Sequence, residues 1–214
     1  MLPGPVTVHL VRHGESTWNA AGRLQGRTPH VPLSERGHAQ AAGAAAVLAG
    51  RPVGAVLSSD LLRARQSAAP IAAAHGLPVR GEPALREQGH GTWEGRPVAG
   101  YAPRLAAAAA DWAPPGGESA RALHARVAAF LAAVLSTRPA GELVLVTHGE
   151  TIRAALAVLH GHPAERMPAA LPGNGEVLTA RRGTPAGPWR ISRGESALPV
   201  DPAGAPDVAN TPLA

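Results

Sequence analysis

Short apolar runs alternate with longer amphipathic or alanine-rich stretches along most of the chain. The apolar runs predict β-strands at residues 6–11, 53–57, 143–147, 177–181 and 189–192. A short extended piece at residues 78–80 predicts one more strand. The stretches between them predict four main α-helices, at residues 34–49, 60–74, 118–136 and 151–160. Ser34 and Asp60 are the expected N-caps of the first two helices, because their side-chain oxygens can accept hydrogen bonds from free backbone N–H groups.

Strands that alternate with helices are typical of α/β proteins, so we predict a three-layer α/β/α sandwich around a mostly parallel central sheet. The Gly- and Pro-rich segment 89–117, with a short alanine helix at 106–110, interrupts the alternation. We expect it to form a helical insertion over the carboxyl ends of the strands. Residues 198–214 are acidic and rich in Pro and Ala, and are expected to be a disordered tail.

Composition narrows the chemistry further. The 214 residues are 45% hydrophobic and 16% charged, which suits one globular domain. The chain has no cysteine and no lysine, which excludes disulfides, thiolate metal sites, cysteine nucleophiles, a lysine Schiff base and a P-loop lysine. Its formal net charge is +5, and arginine is the only positively charged residue type apart from histidine. This positive net charge favours an acidic ligand. The arginines are scattered and aromatic residues make up only 3%, so nucleic acid is not the expected partner.

No segment of the sequence predicts a membrane span or a signal peptide. The N-terminus lacks a basic region followed by a long apolar one. The longest apolar stretch, around residues 41–50, is far shorter than the ~20 residues that a membrane helix needs. We therefore expect a cytoplasmic protein with no membrane partner.

The sequence after the first predicted strand is repeated after the fourth. Arg12, His13 and Gly14 follow one strand, and His148 and Gly149 follow the other. In open α/β sheets the ligand crevice lies outside the carboxyl ends of the strands, so the two histidines can face each other across one pocket. The glycines allow close backbone approach, and free N–H groups at a helix start favour an anion.

Other residues at the carboxyl ends of the strands have matching chemistry. Arg12 and Arg63 carry planar, permanently charged guanidinium groups suited to phosphate oxygens. Glu87 follows the third extended piece and can serve as a general acid and base. Two histidines, two arginines and a glutamate around one anion suit phosphoryl transfer through a histidine.

Two of these assignments have competitors in the sequence itself. Arg65 lies on the same predicted helical turn as Arg63, and either could face solvent. Glu87 competes with three other carboxylates, those of Glu82, Glu94 and Glu118. It could also be a surface residue paired with its neighbour Arg86.

Six blocks in a fixed order resemble the histidine phosphatases, or phosphoglycerate-mutase-like superfamily. They lie at residues 12–19, 26–37, 58–64, 85–95, 115–119 and 147–153. The resemblance implies that His13 is the nucleophile and forms a phosphohistidine. It implies that Glu87 protonates the leaving alcohol and then deprotonates the attacking water. It assigns binding of the phosphoryl group to three residues, Arg12, Arg63 and His148.

The resemblance also implies a wider site and its place in the chain. Asn19 and Gln25 match positions that often add hydrogen bonds to the phosphoryl group, and hydrogen bonds within their own loop are the alternative for both. Gly149 allows the backbone to approach that group. No metal and no organic cofactor is implied. Residues 1–197 are expected to be a single catalytic domain, in which an insertion of about 88–140 forms the substrate side.

Three positions depart from the family pattern. His30 stands where the family usually has an aspartate, which puts the conformation of that loop in question. His90 replaces an aromatic residue, and Glu150 replaces a second glycine after the distal histidine. His90 and Glu150 are expected to line the substrate side, where a carboxylate at Glu150 would disfavour acidic substrates.

The leading functional hypothesis is a phosphomonoesterase that acts on a small phosphorylated metabolite, such as a sugar phosphate, a phosphoglycerate-type compound or a biosynthetic intermediate. A cofactor-dependent phosphoglycerate mutase is the alternative within the family. Dedicated mutases usually carry a longer, lysine-containing stretch after the acid/base glutamate, and residues 88–93 do not match it. A non-catalytic phospholigand-binding protein is the alternative from another class. The expected partner is a small phosphate ester, and a homodimer is left open.

Overall fold

One six-stranded sheet forms the centre of the structure. The structure is a computed structural model in which residues 5–137, 140–184 and 187–193 are described. The strands are β1 (Val6–Arg12), β2 (Val53–Ser58), β3 (Val79–Gly81), β4 (Glu142–Thr147), β5 (Val177–Arg182) and β6 (Arg190–Arg193). Their order is β3-β2-β4-β1-β5-β6. The first four strands pair in parallel, β5 pairs antiparallel with β1, and β6 pairs antiparallel with β5. The mostly parallel α/β sheet is therefore confirmed.

Helices connect these strands at nearly the predicted positions. They are α1 (Thr17–Ala20), α2 (Glu35–Leu48), α3 (Leu62–Ala74), α4 (Ala102–Ala106), α5 (Ala120–Ser136) and α6 (Gly149–Leu159). Short 3₁₀ turns lie at Pro83–Leu85, Gly91–Trp93, Val98–Gly100 and Ala164–Arg166. The predicted tail, 198–214, lies outside the described residues.

Successive side chains of β4 point to opposite faces of the sheet, and the sheet separates two hydrophobic cores. Leu143 and Leu145 are buried against α5 and α6 on one face. Val144 and Val146 are buried against α2 and α3 on the other. A strand buried on both faces has a continuous apolar sequence, as this one does. Helices cover both faces, so the predicted three-layer sandwich is confirmed.

The two predicted helix caps have different outcomes. The Ser34 hydroxyl accepts a hydrogen bond from the N–H of Gly37 at 3.1 Å and caps α2 as expected. The prediction for Asp60 is wrong, because α3 begins later, after Leu61, and has no side-chain cap. The Asp60 carboxylate instead accepts two hydrogen bonds from the Arg86 guanidinium, at 2.7 and 2.5 Å. A two-point ion pair engages both carboxylate oxygens, whereas an N-cap would use one.

The insertion contains less helix than the sequence predicts. The prediction of a helix at 106–110 is wrong, because α4 occupies Ala102–Ala106 and ends where the alanine run begins. Beyond it the chain turns back so that Trp112 packs on Trp93, with ring centroids 5.4 Å apart. Tyr101 packs on the same indole at 4.6 Å. These aromatic contacts, rather than the helix propensity of alanine, determine the path of the segment.

The strand order brings three loops together at the carboxyl edge of the sheet. The N–H of His13, after β1, donates to the carbonyl of Thr147 at the end of β4, at 2.9 Å. The N–H of Ser59, after β2, donates to the carbonyl of Val146, also at 2.9 Å. The residues that follow β1, β2 and β4 are therefore neighbours, although they are far apart in sequence.

The loop after His13 lies so close to the start of α2 that only glycine fits at the contact. A Cβ atom at Gly37 would lie 1.9 Å from the carbonyl oxygen of Glu15, and one at Gly14 would lie 2.2 Å from the carbonyl oxygen of Gly37. Both neighbours are backbone atoms, which can move only if the loop moves. The interlocked glycines therefore hold the loop after His13 in place.

We expect Gly37→Ala to lower the free energy of unfolding by about 2–3 kcal/mol, because the added methyl group overpacks this contact. Urea denaturation followed by circular dichroism measures it. Gly50→Ala is the matched control, since a Cβ atom there would have no atom within 4 Å. Equal unfolding free energies for the two variants would contradict the interpretation.

Candidate active site

His13 follows β1 directly, and a hydrogen bond to the backbone fixes its imidazole. Its Nδ1 lies 2.6 Å from the carbonyl oxygen of Gly14. A carbonyl oxygen can only accept, so this bond assigns the proton to Nδ1. In the neutral ring Nε2 then keeps a free electron pair, which makes it the nucleophilic atom of this side chain.

The surroundings of His13 favour its neutral form. Burial lowers the pKa of His13 well below its usual 6.5, and the positive charges of Arg63 and Arg12 lower it further. The hydrogen bond to Gly14 opposes these effects. A neutral ring at physiological pH is the form that can attack an electrophile.

We expect His13 to be neutral, with its proton on Nδ1, at about pH 6, where a histidine in an unfolded chain is largely protonated. Its lowered pKa means that protonation begins only below the ordinary range. Long-range ¹⁵N–¹H spectra across a pH titration measure both the tautomer and the charge, and His13→Gln assigns the signals by removing them. A doubly protonated ring at this pH, or a proton on Nε2, would contradict the assignment.

His148 lies beside His13 at the end of β4. The two ring centroids are 5.0 Å apart and the ring planes are inclined by 64°. Nε2 of His148 lies 2.8 Å from the hydroxyl oxygen of Ser59, and its buried Nδ1 has no hydrogen-bond partner among the described residues. Burial lowers the pKa of His148 well below its usual 6.5. The positive charge of Arg63 lowers this pKa further. With the Ser59 hydroxyl donating to Nε2, a neutral ring presents Nδ1–H as a free donor.

Arg63 is buried, which is uncommon for arginine, and Arg12 is half-buried with its Nε atom shielded from solvent. Arg12 donates from Nη1 to the carbonyl of Pro172 at 2.6 Å. Arg63 donates to the carbonyls of Thr28 and Gly26, at 3.0 and 2.8 Å. Burial lowers the pKa of Arg63 to about 10, which leaves the guanidinium charged at neutral pH. The competitor Arg65 is exposed.

The Nε–H groups of Arg12 and Arg63 are buried and find no acceptor among the described residues, like Nδ1 of His148. A buried donor that is left unpaired costs about 1–3 kcal/mol. Two of the three donors are on cations whose charges act on His13, and the third is on the His148 ring, whose centroid lies 5.0 Å from that of His13. An anion with several oxygen atoms, such as a phosphoryl group, satisfies donors of this kind.

Glu87 is held by backbone N–H groups from the start of α6. Its Oε1 accepts from the N–H of Thr151 at 3.2 Å and from that of Gln88 at 3.0 Å. Its Oε2 lies 3.4 Å from the N–H of Glu150. The alternative pairing with Arg86 is not observed, because Arg86 binds Asp60. The carboxylate therefore lies against the first turn of α6, the helix that follows His148.

Asn19 and Gln25 lie on the loop after His13 and form hydrogen bonds within it. The Ser16 hydroxyl lies 2.7 Å from Oε1 of Gln25 and 3.1 Å from Oδ1 of Asn19. Asn19 also closes a reciprocal cap with Ser16 at the start of α1. In this structure both side chains order the loop through their amide oxygens.

The three remaining predicted residues surround Glu87 and Arg12. A Cβ atom at Gly149 would lie 3.7 Å from Cζ of Arg12, so glycine lets α6 approach the guanidinium. The Glu150 carboxylate contacts Nη1 of Arg153 at 2.9 and 2.7 Å. His90 is buried, and burial lowers its pKa against the opposing charges of Glu87 and Glu94.

The loop that carries His30 is held by α3. His30 itself is exposed. The N–H of Leu62 donates to the carbonyl of Pro29 at 2.9 Å, and Arg63 binds the two carbonyls already described. The arginine that faces the site therefore also orders this loop.

Sequence reasoning missed three positioning residues. Ser59 contacts His148 and Thr151 contacts Glu87, and both lie inside the recognised blocks without having been singled out. Asn174 donates from Nδ2 to the carbonyl of His13 at 3.1 Å. Asn174 lies in an irregular Pro- and Gly-rich segment, where no pattern signals the contact.

The described residues form neither a membrane span nor a metal centre. No helix in this part of the chain is long and apolar enough to cross a membrane. Within the same ranges, no group of three or more His, Asp or Glu side chains is arranged to hold a metal ion.

Comparison with known proteins identifies the family. The profile of the histidine phosphatase superfamily, branch 1, matches residues 8–187. The chain belongs to this superfamily. The matched region contains the five predicted core residues of the site, which are Arg12, His13, Arg63, Glu87 and His148.

Individual relatives in the histidine phosphatase superfamily carry different names. A curated Yersinia pestis protein named "Probable phosphoglycerate mutase GpmB" is 37% identical over 164 residues, 73% of this chain and 76% of that protein. A solved mycobacterial glucosyl-3-phosphoglycerate phosphatase is 32% identical, with a TM-score of 0.79, and covers 90% of this chain and 100% of its own. The α-ribazole phosphatase from Shigella flexneri is 27% identical, with a TM-score of 0.77, over 92% and 100%. These findings support an enzyme, either a phosphatase or a mutase.

Proposed function

We propose that this histidine phosphatase is a phosphomonoesterase that hydrolyses a small phosphorylated metabolite through a phosphohistidine. One observation carries the proposal. The tautomer of His13 leaves Nε2 free, and the neighbouring Arg12, Arg63 and His148 carry buried donors that have no acceptor among the described residues. The phosphatase names of the similar solved structures support hydrolysis as the outcome.

In the first step Nε2 of His13 attacks the phosphorus atom and the bond to the ester oxygen breaks. Glu87, in its protonated form, gives its proton to that oxygen, so that a neutral alcohol leaves. The charge on the transferring oxygens is stabilised by the two guanidinium groups and by Nδ1–H of His148. The hydrogen bond from Nδ1 of His13 to Gly14 stabilises the positive charge that develops on the ring.

In the second step water hydrolyses the phosphohistidine. Glu87, now ionised, takes a proton from the attacking water, and the bond between phosphorus and Nε2 of His13 breaks. The products are inorganic phosphate and the original neutral imidazole. Glu87 is again protonated, so protons and charge balance over the cycle.

The wider site supports this chemistry without a metal or an organic cofactor, because fixed cations already face the phosphoryl group. Asn19 and Gln25 would add amide donors to the phosphoryl oxygens, and Gly149 would let its N–H approach them. His90 and Glu150 would face the alcohol. The partner is a small phosphate ester, bound by one catalytic domain, 1–197, whose segment 88–140 forms the substrate side.

Steady-state release of phosphate tests the proposal. We expect multiple turnovers of p-nitrophenyl phosphate and of an alkyl phosphate in the presence of EDTA. Each turnover should release one phosphate and one alcohol. An enzyme that releases no phosphate from either ester, or that EDTA inactivates, would overturn the proposal.

A phosphoglycerate mutase is the second candidate, and the name of the Yersinia relative favours it. A mutase returns the phosphoryl group to a phosphoglycerate instead of passing it to water. Conversion of 3-phosphoglycerate to 2-phosphoglycerate, stimulated by 2,3-bisphosphoglycerate and faster than phosphate release, would establish it. Phosphate release without bisphosphoglycerate would exclude it as the main activity.

A further inference from the structure

Glu150 occupies the first turn of α6, between the phosphate-binding and acid/base groups. Its backbone N–H lies 3.4 Å from Oε2 of Glu87. The residue before it, Gly149, lies against the guanidinium of Arg12. Because Glu87 must reach the ester oxygen, residues around it face the alcohol half of the substrate. Glu150 therefore adds a second carboxylate to that side.

The arginines around these two carboxylates are already engaged. Arg153 holds Glu150 through Nη1, at 2.9 and 2.7 Å, and donates from Nε to the carbonyl of Pro168. Arg27 and Arg126, which both contact the Glu87 carbonyl, form ion pairs with Glu118 at 2.7 and 2.8 Å. A second anion placed beside Glu87 and Glu150 would have to displace a carboxylate from one of these arginines.

The charge balance at the site leads to the same conclusion. Arg12 and Arg63 together match the two negative charges of a phosphate ester. Glu87 has to be protonated when the alcohol leaves, and a carboxylate on that alcohol would add a negative charge beside it and Glu150. A substrate carboxylate and the Glu150 carboxylate would repel each other strongly where they are shielded from water.

We infer that Glu150 and Arg153 form a specificity pair that selects phosphate esters whose alcohol half is uncharged and hydroxylated over those that carry a carboxylate or a second phosphate. This inference rests on the proposed hydrolysis. A hydroxyl group can donate to the Glu150 carboxylate, whereas an anion cannot. The expected preference differs from the one that the names of two relatives suggest, since both names contain phosphoglycerate.

Glycerol 3-phosphate and 3-phosphoglycerate test the inference, because they differ only in a hydroxymethyl group against a carboxylate. We expect the wild-type protein to prefer glycerol 3-phosphate in kcat/KM by about tenfold or more. Glu150→Gln should reduce this preference about tenfold, because it removes a negative charge and frees Arg153. Arg153→Gln should increase the preference, because it leaves the Glu150 carboxylate unopposed. Glu35→Gln, at an exposed carboxylate at the start of α2, should leave the ratio unchanged.

Hydrolysis of p-nitrophenyl phosphate separates the two possible failures. If that ester is hydrolysed but 3-phosphoglycerate is preferred over glycerol 3-phosphate, the inference is wrong and the proposed function stands. A preference for 3-phosphoglycerate that Arg104→Gln removes would assign anion recognition to Arg104, which lies over the Trp93 ring at 5.4 Å. Equal ratios in the wild type, Glu150→Gln and Arg153→Gln would also overturn the inference. If no ester is hydrolysed, both the proposed function and the inference fail.

Discussion

His13→Ala is expected to lower kcat/KM for phosphate esters by roughly 10⁴-fold or more, about 5.5 kcal/mol in transition-state free energy. The variant lacks the nitrogen that accepts the phosphoryl group, and no neighbouring side chain can replace it in the same geometry. His148 lies beside it, but its Nε2 contacts Ser59. Phosphate release from p-nitrophenyl phosphate and from an alkyl phosphate measures the loss.

Binding of inorganic phosphate shows whether the loss concerns chemistry or folding. His13→Ala keeps Arg12, Arg63 and His148, so we expect phosphate to bind with a Kd within about tenfold of that of the wild type. His38→Ala, at an exposed position on α2, is the matched control and should retain full activity. A His13→Ala protein that binds phosphate and still turns over at more than a few per cent of the wild-type rate would contradict the assignment.

Glu87→Gln should lower kcat/KM for an alkyl phosphate by about 10²–10⁴-fold, which is the usual contribution of a general acid. The loss for p-nitrophenyl phosphate should be much smaller, because p-nitrophenolate leaves without a proton. The same variant lacks the base that activates water in the second step. We therefore expect a burst of one p-nitrophenolate per active site, followed by slow turnover. Rapid mixing with absorbance detection resolves the two phases.

Glu82 provides the matched control for Glu87, because sequence reasoning alone left both as candidates. Its carboxylate accepts from the N–H of Ala84 at 3.0 Å and caps a 3₁₀ turn. Glu82→Gln should therefore lower kcat/KM by no more than about twofold for either the alkyl phosphate or p-nitrophenyl phosphate. Equal losses for the two esters in Glu87→Gln would show that Glu87 does not transfer a proton to the leaving group.

Much of the site could be predicted from the sequence because its residues sit at the ends of local patterns. The runs of apolar residues before His13 and His148 located both histidines at strand ends. Placing them face to face also required β1 and β4 to be neighbours in the sheet. Local periodicity does not determine strand order, so the sequence allowed the two histidines to face each other without fixing that β1 and β4 pair.

The contacts that position the catalytic groups could not be predicted in the same way. Asp60 has the chemistry of an N-cap, but its actual partner, Arg86, lies on another loop. Asn174 reaches the backbone of His13 from a segment without periodicity. Such pairs depend on tertiary distances, so a sequence pattern can name the residue types without naming the partners.

The central claim is that a phosphoryl group resides on His13 during turnover, and rapid quenching measures this directly. Wild-type protein is mixed with ³²P-labelled phosphate ester, quenched in alkali, and cleaved after arginine. The account predicts an alkali-stable, acid-labile label on the peptide 13–23, which begins with His13. The label should form and decay with rate constants no smaller than kcat. The His13→Ala variant should not acquire the label. Turnover without any labelled peptide, or a label on a peptide that lacks His13, would contradict the account.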